Sequence, residues 1–556
     1  MAIDARRSRW AALGLSWAAA CSGVGEPNEG ETVQAVTDAT SEAATSSPGE
    51  TLDAPTTGSA SAPGTTAVDE ATTTGPVATD TGPTSTGTTD TGEPLPVPVA
   101  TIAELLVPFD TDQQDLVGPA SWEPQYGKSP EIVAVPLGAT IDVLVQDYAE
   151  SPEGHAYVLR LEPSADDYVV TAVLEPPMLD RIMGLARDPD GQLYVASGVA
   201  EGDTLTLEDP QPGQHRGGIV RVVKQSWDGA VHFDTDVDLG REAVAPDSEP
   251  IINPMVAGTA RLAWGAGALA LVHGNNTDTD WNIMARHQKA LTTHLDAGSG
   301  AVTRTSSIWV SHSFDQRLFH DGTGFLELHL GDAFPRDVTF ARVEPDSDPY
   351  SLLAIKGNTG NNNTFTRLGN AAPIGGDPAF GYLALFATES TTGTGEMVSG
   401  ARELAIVRVR RDFETLPADS GMHLDPALPD TLDVESGGQP RQNRLRWLTH
   451  YQTENGGTSH AERPKLVPLG DDTYVVLWER WDGAQPAFAG TWGMVIDATG
   501  EALVPAALVA DTHLPRGDDA FPLAGAAAWI TGDAAARQLD LHIVDPQLGY
   551  RHVVVE

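Results

Sequence analysis

The chain is short of cysteine, of basic residues and of long apolar runs, and each shortage removes a class of protein. One residue in 556 is cysteine, Cys21, so no internal disulfide can staple the fold and core burial must hold it. Lys and Arg total 33 against 78 Asp and Glu, a net charge of −45. That balance lacks the cationic footprint of nucleic-acid binding and disfavours docking on anionic lipid, so neither partner is expected. Several catalytic signatures are missing too: no Gly-x-Ser-x-Gly, no His-Glu-x-x-His, and no phosphate or dinucleotide loop. Asp234–Gly240 is acidic but lacks the glycine and glutamate positions of an EF-hand. Ser226–Val231 approaches the sialidase Asp-box and breaks its pattern.

Absence also marks out the first fifth of the chain. Between Arg9 and Lys128 there is no Lys, Arg or His, and between Trp17 and Phe109 no Phe, Trp or Tyr. What remains is Thr, Gly, Ser, Ala, Pro and roughly a dozen acids. Such a stretch has nothing to bury against an ordering cost of about 1–2 kcal/mol per residue, so residues 22–100 are expected to form a disordered, extended tether. Even without it, acids outnumber bases about twofold in the rest of the chain.

Ahead of that stretch, Arg6, Arg7 and Arg9 precede an apolar run from Trp10 to Ala20 that ends Ala18-Ala19-Ala20. The run falls short of the ~20 apolar residues that span a bilayer and has the layout of a secretory signal. With cysteine next, residues 1–21 resemble a bacterial lipoprotein signal, although Ala18 stands where that family has Leu and Asp4 is unusual in a basic leader. The resemblance implies lipidation of Cys21 and a membrane held through that lipid. Ser22 in place of Asp is similar to the sorting cue for the outer membrane, periplasmic or cell-surface. An ordinary secreted protein cut nearby is the alternative. Thr/Gly/Asp-rich tethers behind a lipidated cysteine resemble those of surface lipoproteins from myxobacteria and similar predatory bacteria, a likeness of composition confined to the tether.

From about Glu131 the pattern changes to short apolar or alternating runs broken by Asp, Gly, Asn and Pro, the signature of an all-β fold. The clearest unit runs Lys465–Gly470, the turn Asp471-Asp472-Thr473, Tyr474–Glu479, then Gly490–Ile496, the turn Asp497–Gly500, and Ala502–Val509. It reads as two hairpins, A–B and C–D, with Asp and Gly where tight turns need left-handed backbone. Another copy begins at Ala260, and weaker ones near Ile132, Ile182, Leu318, Pro378 and Phe521. About seven four-stranded units predict a β-propeller over residues 101–556, whose radial closure protects sheet edges. A pair of β-sandwiches is the competing architecture. Ile102–Val107 is a candidate closing strand for the last blade.

In a propeller the B–C loops and the loops joining successive blades share one face. Placed there by the repeat register are His312, Asp315 and Arg317 before blade four, His329, Asp332 and Arg336 in its B–C loop, His460, Glu462 and Arg463 before blade six, and Glu479 and Trp481 after its second strand. Arg forks take carboxylates or sulfates, acids take sugar hydroxyls, and exposed Trp stacks on sugars, so the set fits a polar or anionic glycan, or a protein ligand. His273, Asp278 and Asp280 are candidate ligands for a divalent cation, Ca or Zn. Two functions stay open: a binding or scaffold module, monomeric in its folded part, or a metal-assisted glycan hydrolase or lyase in which the His, Asp and Arg groups act as ligands, bases and clamps. The same residue types also tie blades together with no ligand at all.

Overall fold

Among the described residues, alternating residues with Asp/Gly turns fold into 29 strands, β1 to β29, in seven antiparallel sheets. The computed structural model describes residues 132–555, except 148–154, 166, 180, 199–219, 238–259, 278–286, 310–315, 331–336, 344–348, 355–365, 391–400, 417–423, 437–438, 485, 516–517 and 534–537. The expected signal, Cys21, the tether and the Ile102–Val107 strand lie outside the described residues.

Blade 1 is β1 (Ile132–Leu137), β2 (Thr140–Asp147), β3 (His155–Ser164) and β4 (Asp167–Leu174). Blade 2 is β5 (Arg181–Arg187), β6 (Leu193–Gly198), β7 (Val220–Gln225) and β8 (Val231–Val237). Blade 3 is β9 (Arg261–Gly265), β10 (Ala268–Thr277), β11 (His287–Asp296) and β12 (Val302–Trp309). Blade 4 is β13 (Gln316–His320), β14 (Phe325–Leu330), β15 (Asp337–Arg342) and β16 (Tyr350–Ala354). Blade 5 has a fifth strand, in the order β17 (Arg367–Pro373), β18 (Tyr382–Glu389), β19 (Arg402–Val409), β21 (Gln439–Trp447), β20 (Asp430–Ser436). Blade 6 is β22 (Ser459–Gly470), β23 (Thr473–Asp482), β24 (Ala487–Asp497) and β25 (Ala502–Ala510). Blade 7 is β26 (Phe521–Leu523), β27 (Ala526–Asp533), β28 (Gln538–Val544) and β29 (Tyr550–Val555).

The first strand of each blade packs against the first strand of the next, from β1 round to β26 and back, so seven blades close a ring. This is a seven-bladed β-propeller and not a pair of sandwiches. Blades 1 and 7 meet through a shared core of Ile141, Val143, Leu161, Ile530, Leu539 and Val555. Among the described residues each blade is built from one continuous stretch of chain, and blades 1 and 7 pack against each other across the seam.

The turns show why the repeat was readable. Asp321 Oδ1 accepts from the backbone N–H of Thr323 and Gly324, Asp497 Oδ1 from Thr499 and Glu501, and Asp296 Oδ1 from Gly298 and Ser299. Each carboxylate satisfies donors that the reversing chain would leave bare. Hydroxyl donors first (Tyr382 to Asp321, Thr499 to Asp497, Ser299 to Asp296), with these backbone bonds and, in Asp321 and Asp497, a nearby Arg, hold the carboxyls below their usual range against the opposing cost of burial.

Blade 5 departs from expectation. It begins at Arg367, and Pro378 sits in a short 3₁₀ turn, Pro378–Phe380, between its first two strands. Arg367–Pro373 reads poorly as a strand because Gly369, Asn370 and Pro373 interrupt it. Gly369 is nevertheless suited to the place, since a Cβ there would sit 2.8 Å from the Leu385 carbonyl oxygen.

Most blade interfaces are apolar, with Leu, Val and Ile side chains worth about 1.5–3 kcal/mol each when fully buried. The blade 3–4 interface is different. Its apolar clusters are small, centred on Ala270, Phe325 and Val343 and on Val272 with Ala290. Beside them Glu327 is buried and accepts from the hydroxyl of Thr292, and His329, two residues along the same strand face, is also buried.

Candidate functional site

Four inner strands carry a basic residue at their first or second position: Arg181 on β5, Arg261 on β9, Arg317 on β13 and Arg367 on β17, of which the last three build the site. Lys465 of β22 joins them by a different route. The pairing of β22 with β23 shifts register between Glu462 and Lys465, and Arg463 takes a left-handed φ of 49°. Such a bulge re-aims the side chains on either side of it, so Glu462 and Lys465 serve the ring centre while Arg463 turns to blade 6.

The segment before β26 brings the opposing charge. Asp519 forms an ion pair with Arg317, Nε to Oδ1 at 3.0 Å, and accepts from Arg261 Nε at 3.4 Å on Oδ2. Asp518 accepts at Oδ2 from the backbone N–H of Ala134 on β1 at 3.0 Å, and its carbonyl accepts from Lys465 Nζ at 2.5 Å. Residues of blades 1, 3, 4, 6 and 7 thus meet at the centre of the ring. Arg317 also donates to the Leu368 carbonyl at 3.0 Å, tying it to β17. There the cluster continues, with Glu462 Oε2 3.3 Å from Arg367 Nε and Glu462 Oε1 paired to Arg402. Among the described residues, five cations therefore face three carboxylates.

Depth sets the protonation. Burial pushes the Asp518 carboxyl up to about 6, helped by the neighbouring Asp519 charge and opposed by Arg261. Burial also acts on Asp519, but Arg261, Arg317 and Lys465 outweigh it and bring the carboxyl down to about 2. Burial drives the Lys465 ammonium down to about 8 against the pull of Asp519, with Arg317 and Arg261 repelling it further. Asp519 nonetheless keeps 25% of its side-chain surface open, whereas Arg317 keeps 4%. The centre is largely buried, and solvent reaches part of the Asp519 side chain.

Of the residues singled out from sequence, Arg317 and Glu462 belong to this cluster. Arg463, Glu479 and Trp481 form a second group beside it, in strands rather than loops. Glu479 is fully buried and accepts from Arg463 Nη1 (3.1 Å), Trp481 Nε1 (3.1 Å) and the backbone N–H of Leu514 (2.9 Å), with His513 Nδ1 at 3.2 Å. Arg463 also donates to the Leu514 carbonyl at 2.9 Å. This hub pins the segment that leads to Asp518 and Asp519. Trp481 is buried, with no rim face to offer.

The histidines separate. His329 lies in β14 on the side facing blade 3, with burial alone pushing its imidazole down to about 4. His460 lies in β22, its Nδ1 accepting from the Arg402 backbone N–H at 3.3 Å, and burial with the Arg402 charge lowers it to about 4. His273 is buried in β10. His312, Asp315, Asp332, Arg336, Asp278 and Asp280 lie outside the described residues. Among the described residues no group of three or more His, Cys, Asp or Glu is placed to hold a metal ion. Arg261, Arg367, Arg402, Lys465, Asp518 and Asp519 escaped the sequence reading. A basic residue opening the strand was the signal available for the arginines of β9 and β17.

Fold and site together define a seven-bladed β-propeller with a charged, cation-rich centre. No protein-family model matches the chain, and no curated protein does. Among solved structures, the chain is similar to the acylaminoacyl peptidase of Pyrococcus horikoshii in its orthorhombic crystal form, at 8% identity and a TM-score of 0.37. That match covers 78% of this chain and 53% of the peptidase, so the chain spans about half its length. It is also similar to the periplasmic gluconolactonase PpgL of Pseudomonas aeruginosa, at 15% identity and a TM-score of 0.34, over 75% of this chain and 95% of that one. A third likeness, to xylan β-1,4-xylosidase from Bacillus halodurans C-125, has 12% identity and a TM-score of 0.24 over 56% and 52% of the two chains. The fold assignment rests on the strand order itself.

Proposed function

We propose that this propeller is a binding module that takes a small polar anion, such as an acidic sugar, at the centre of its ring. The observation that carries the reading is the convergence of Arg261, Arg317, Arg367, Arg402 and Lys465 on Asp518, Asp519 and Glu462. In a chain with more than twice as many acids as bases, a surplus of cations at one point is a local reversal of sign. Guanidiniums in an enclosed site hold anions by charge-assisted hydrogen bonds that water weakens little. The surrounding negative charge would repel polyanionic macromolecules and leave the site to small solutes. The basic leader, Cys21 and the acidic stretch 22–100 support a further part of the proposal, that a lipid on Cys21 displays the module from a membrane.

Calorimetry on the purified full-length chain tests the binding reading, with glucuronate against glucose as neutral control at low salt. Glucuronate is expected to bind, to weaken as salt rises, and to lose at least tenfold in affinity in Lys465→Met. Equal binding of glucose, or an unaltered affinity in Lys465→Met, would overturn it.

A further inference from the structure

The anion site described above already contains an anion, and it belongs to the chain. Arg261 and Arg317 come from the first strands of neighbouring blades, and each takes a different oxygen of the single Asp519 carboxylate, at 3.4 and 3.0 Å. One guanidinium nitrogen beside each oxygen of one planar group matches a carboxylate, whereas a tetrahedral sulfate or phosphate carries further oxygens on a third side. Both guanidiniums are held from behind: Arg317 donates to the carbonyls of Gln316 and Leu368, and Arg261 to that of Ala260. They are therefore fixed in direction whatever carboxylate stands between them.

Asp519 is less constrained than the arginines it joins. It lies outside any strand, two residues before β26, and a quarter of its side chain is open while Arg261 and Arg317 keep 11% and 4%. The segment is fastened at its other end, where Leu514 binds Glu479 and Arg463. A residue anchored upstream, with a half-buried carboxylate between two more deeply buried guanidiniums, is placed as a replaceable partner.

We infer that Asp519 stands in for the ligand's own carboxylate: it neutralises Arg261 and Arg317 in the free protein, and a ligand carboxylate takes its position on binding. The inference rests on the anion-binding reading and narrows the ligand to an organic acid, with uronates the sugar class that carries one. Asp519 is then an intramolecular competitor, and the measured affinity is the intrinsic one multiplied by the fraction of molecules in which the arginines are released.

Titration calorimetry of the full-length chain and its Asp519→Asn variant, with glucuronate and separately with inorganic sulfate, tests this. The amide keeps the side-chain volume and removes the competing charge. Glucuronate is expected to bind Asp519→Asn at least tenfold more tightly than wild type, with sulfate gaining less. Unchanged or weaker glucuronate binding in the variant, beside measurable binding in wild type, overturns the competitor and leaves the anion-binding reading standing. If neither protein binds glucuronate or sulfate, the anion-binding reading itself fails and the inference with it. Hydrogen exchange on wild type needs no variant to fold: saturating glucuronate should speed exchange in the 511–520 segment. Slower or unaltered exchange there means that the ligand does not displace Asp519, and overturns the inference.

Discussion

Replacing Glu327 with glutamine should make the propeller more stable in mild alkali and much less so in mild acid. Glu327 is buried at the polar interface between blades 3 and 4, with the Thr292 hydroxyl donating to it. Burial raises its carboxyl from 4.5 to about 7, a lift the Thr292 bond reduces but does not cancel. Because the folded value lies above the unfolded one, the native state favours the protonated form. Relative stability from this group is complete below about 4.5, declines as pH rises through 7, and is lost above it. The difference is worth about 3 kcal/mol at 1.36 kcal/mol per pH unit. Glutamine is neutral throughout and can still accept from Thr292, so Glu327→Gln should gain on the order of 2–3 kcal/mol at pH 8. At pH 5, just above the unfolded value, the gain should shrink to under about 1 kcal/mol. Thermal unfolding by calorimetry at both pH values reads this as a rise in Tm of a few degrees at pH 8 that is several-fold smaller at pH 5. The same Tm difference at pH 5 and pH 8 would refute the burial argument.

Three more expectations follow from the same geometry. Glu479→Ala strands Arg463, the Trp481 N–H and the Leu514 N–H together, and should cost about 3–5 kcal/mol in unfolding experiments, with Glu479→Gln milder. Gly381→Ala places a Cβ at φ 92° only 2.2 Å from the Val409 carbonyl oxygen, and a loss of about 2 kcal/mol or more should appear as a lowered Tm. Anion affinity should rise as pH falls through about 6, where Asp518 gains its proton, and fall above about 8, where Lys465 loses one. Binding isotherms from pH 5 to 9 that stay flat would detach the ring centre from the ligand.

The parts of this fold that were legible in the sequence depend on near neighbours. Asp497 serves Thr499 and Glu501 within one turn, so the hairpin can be read without knowing what packs on it. The count of blades follows from such turns. Blade 5 was misplaced because Arg367–Pro373 owes its strand state to its fit against β18 and not to its own residues. Trp481 looked like a rim residue for a similar reason: its burial is set by Glu479 beside it and by Phe488 and His513, which come from elsewhere in the chain.

The site divides along the same line. Sequence by itself determined that the chain alternates and turns as paired hairpins, that these repeat about seven times, and that its charge is heavily negative, because each of these is written in adjacent residues or in composition. Only the tertiary structure decided that Arg261 and Asp519, 258 positions apart, share a hydrogen bond across the ring. Closing a propeller brings the first strands of all blades to one centre, and which residues meet there depends on the bulge at Arg463 and on the segment pinned by Glu479. Neither device is visible before the ring is closed, because each acts through contacts that closure creates.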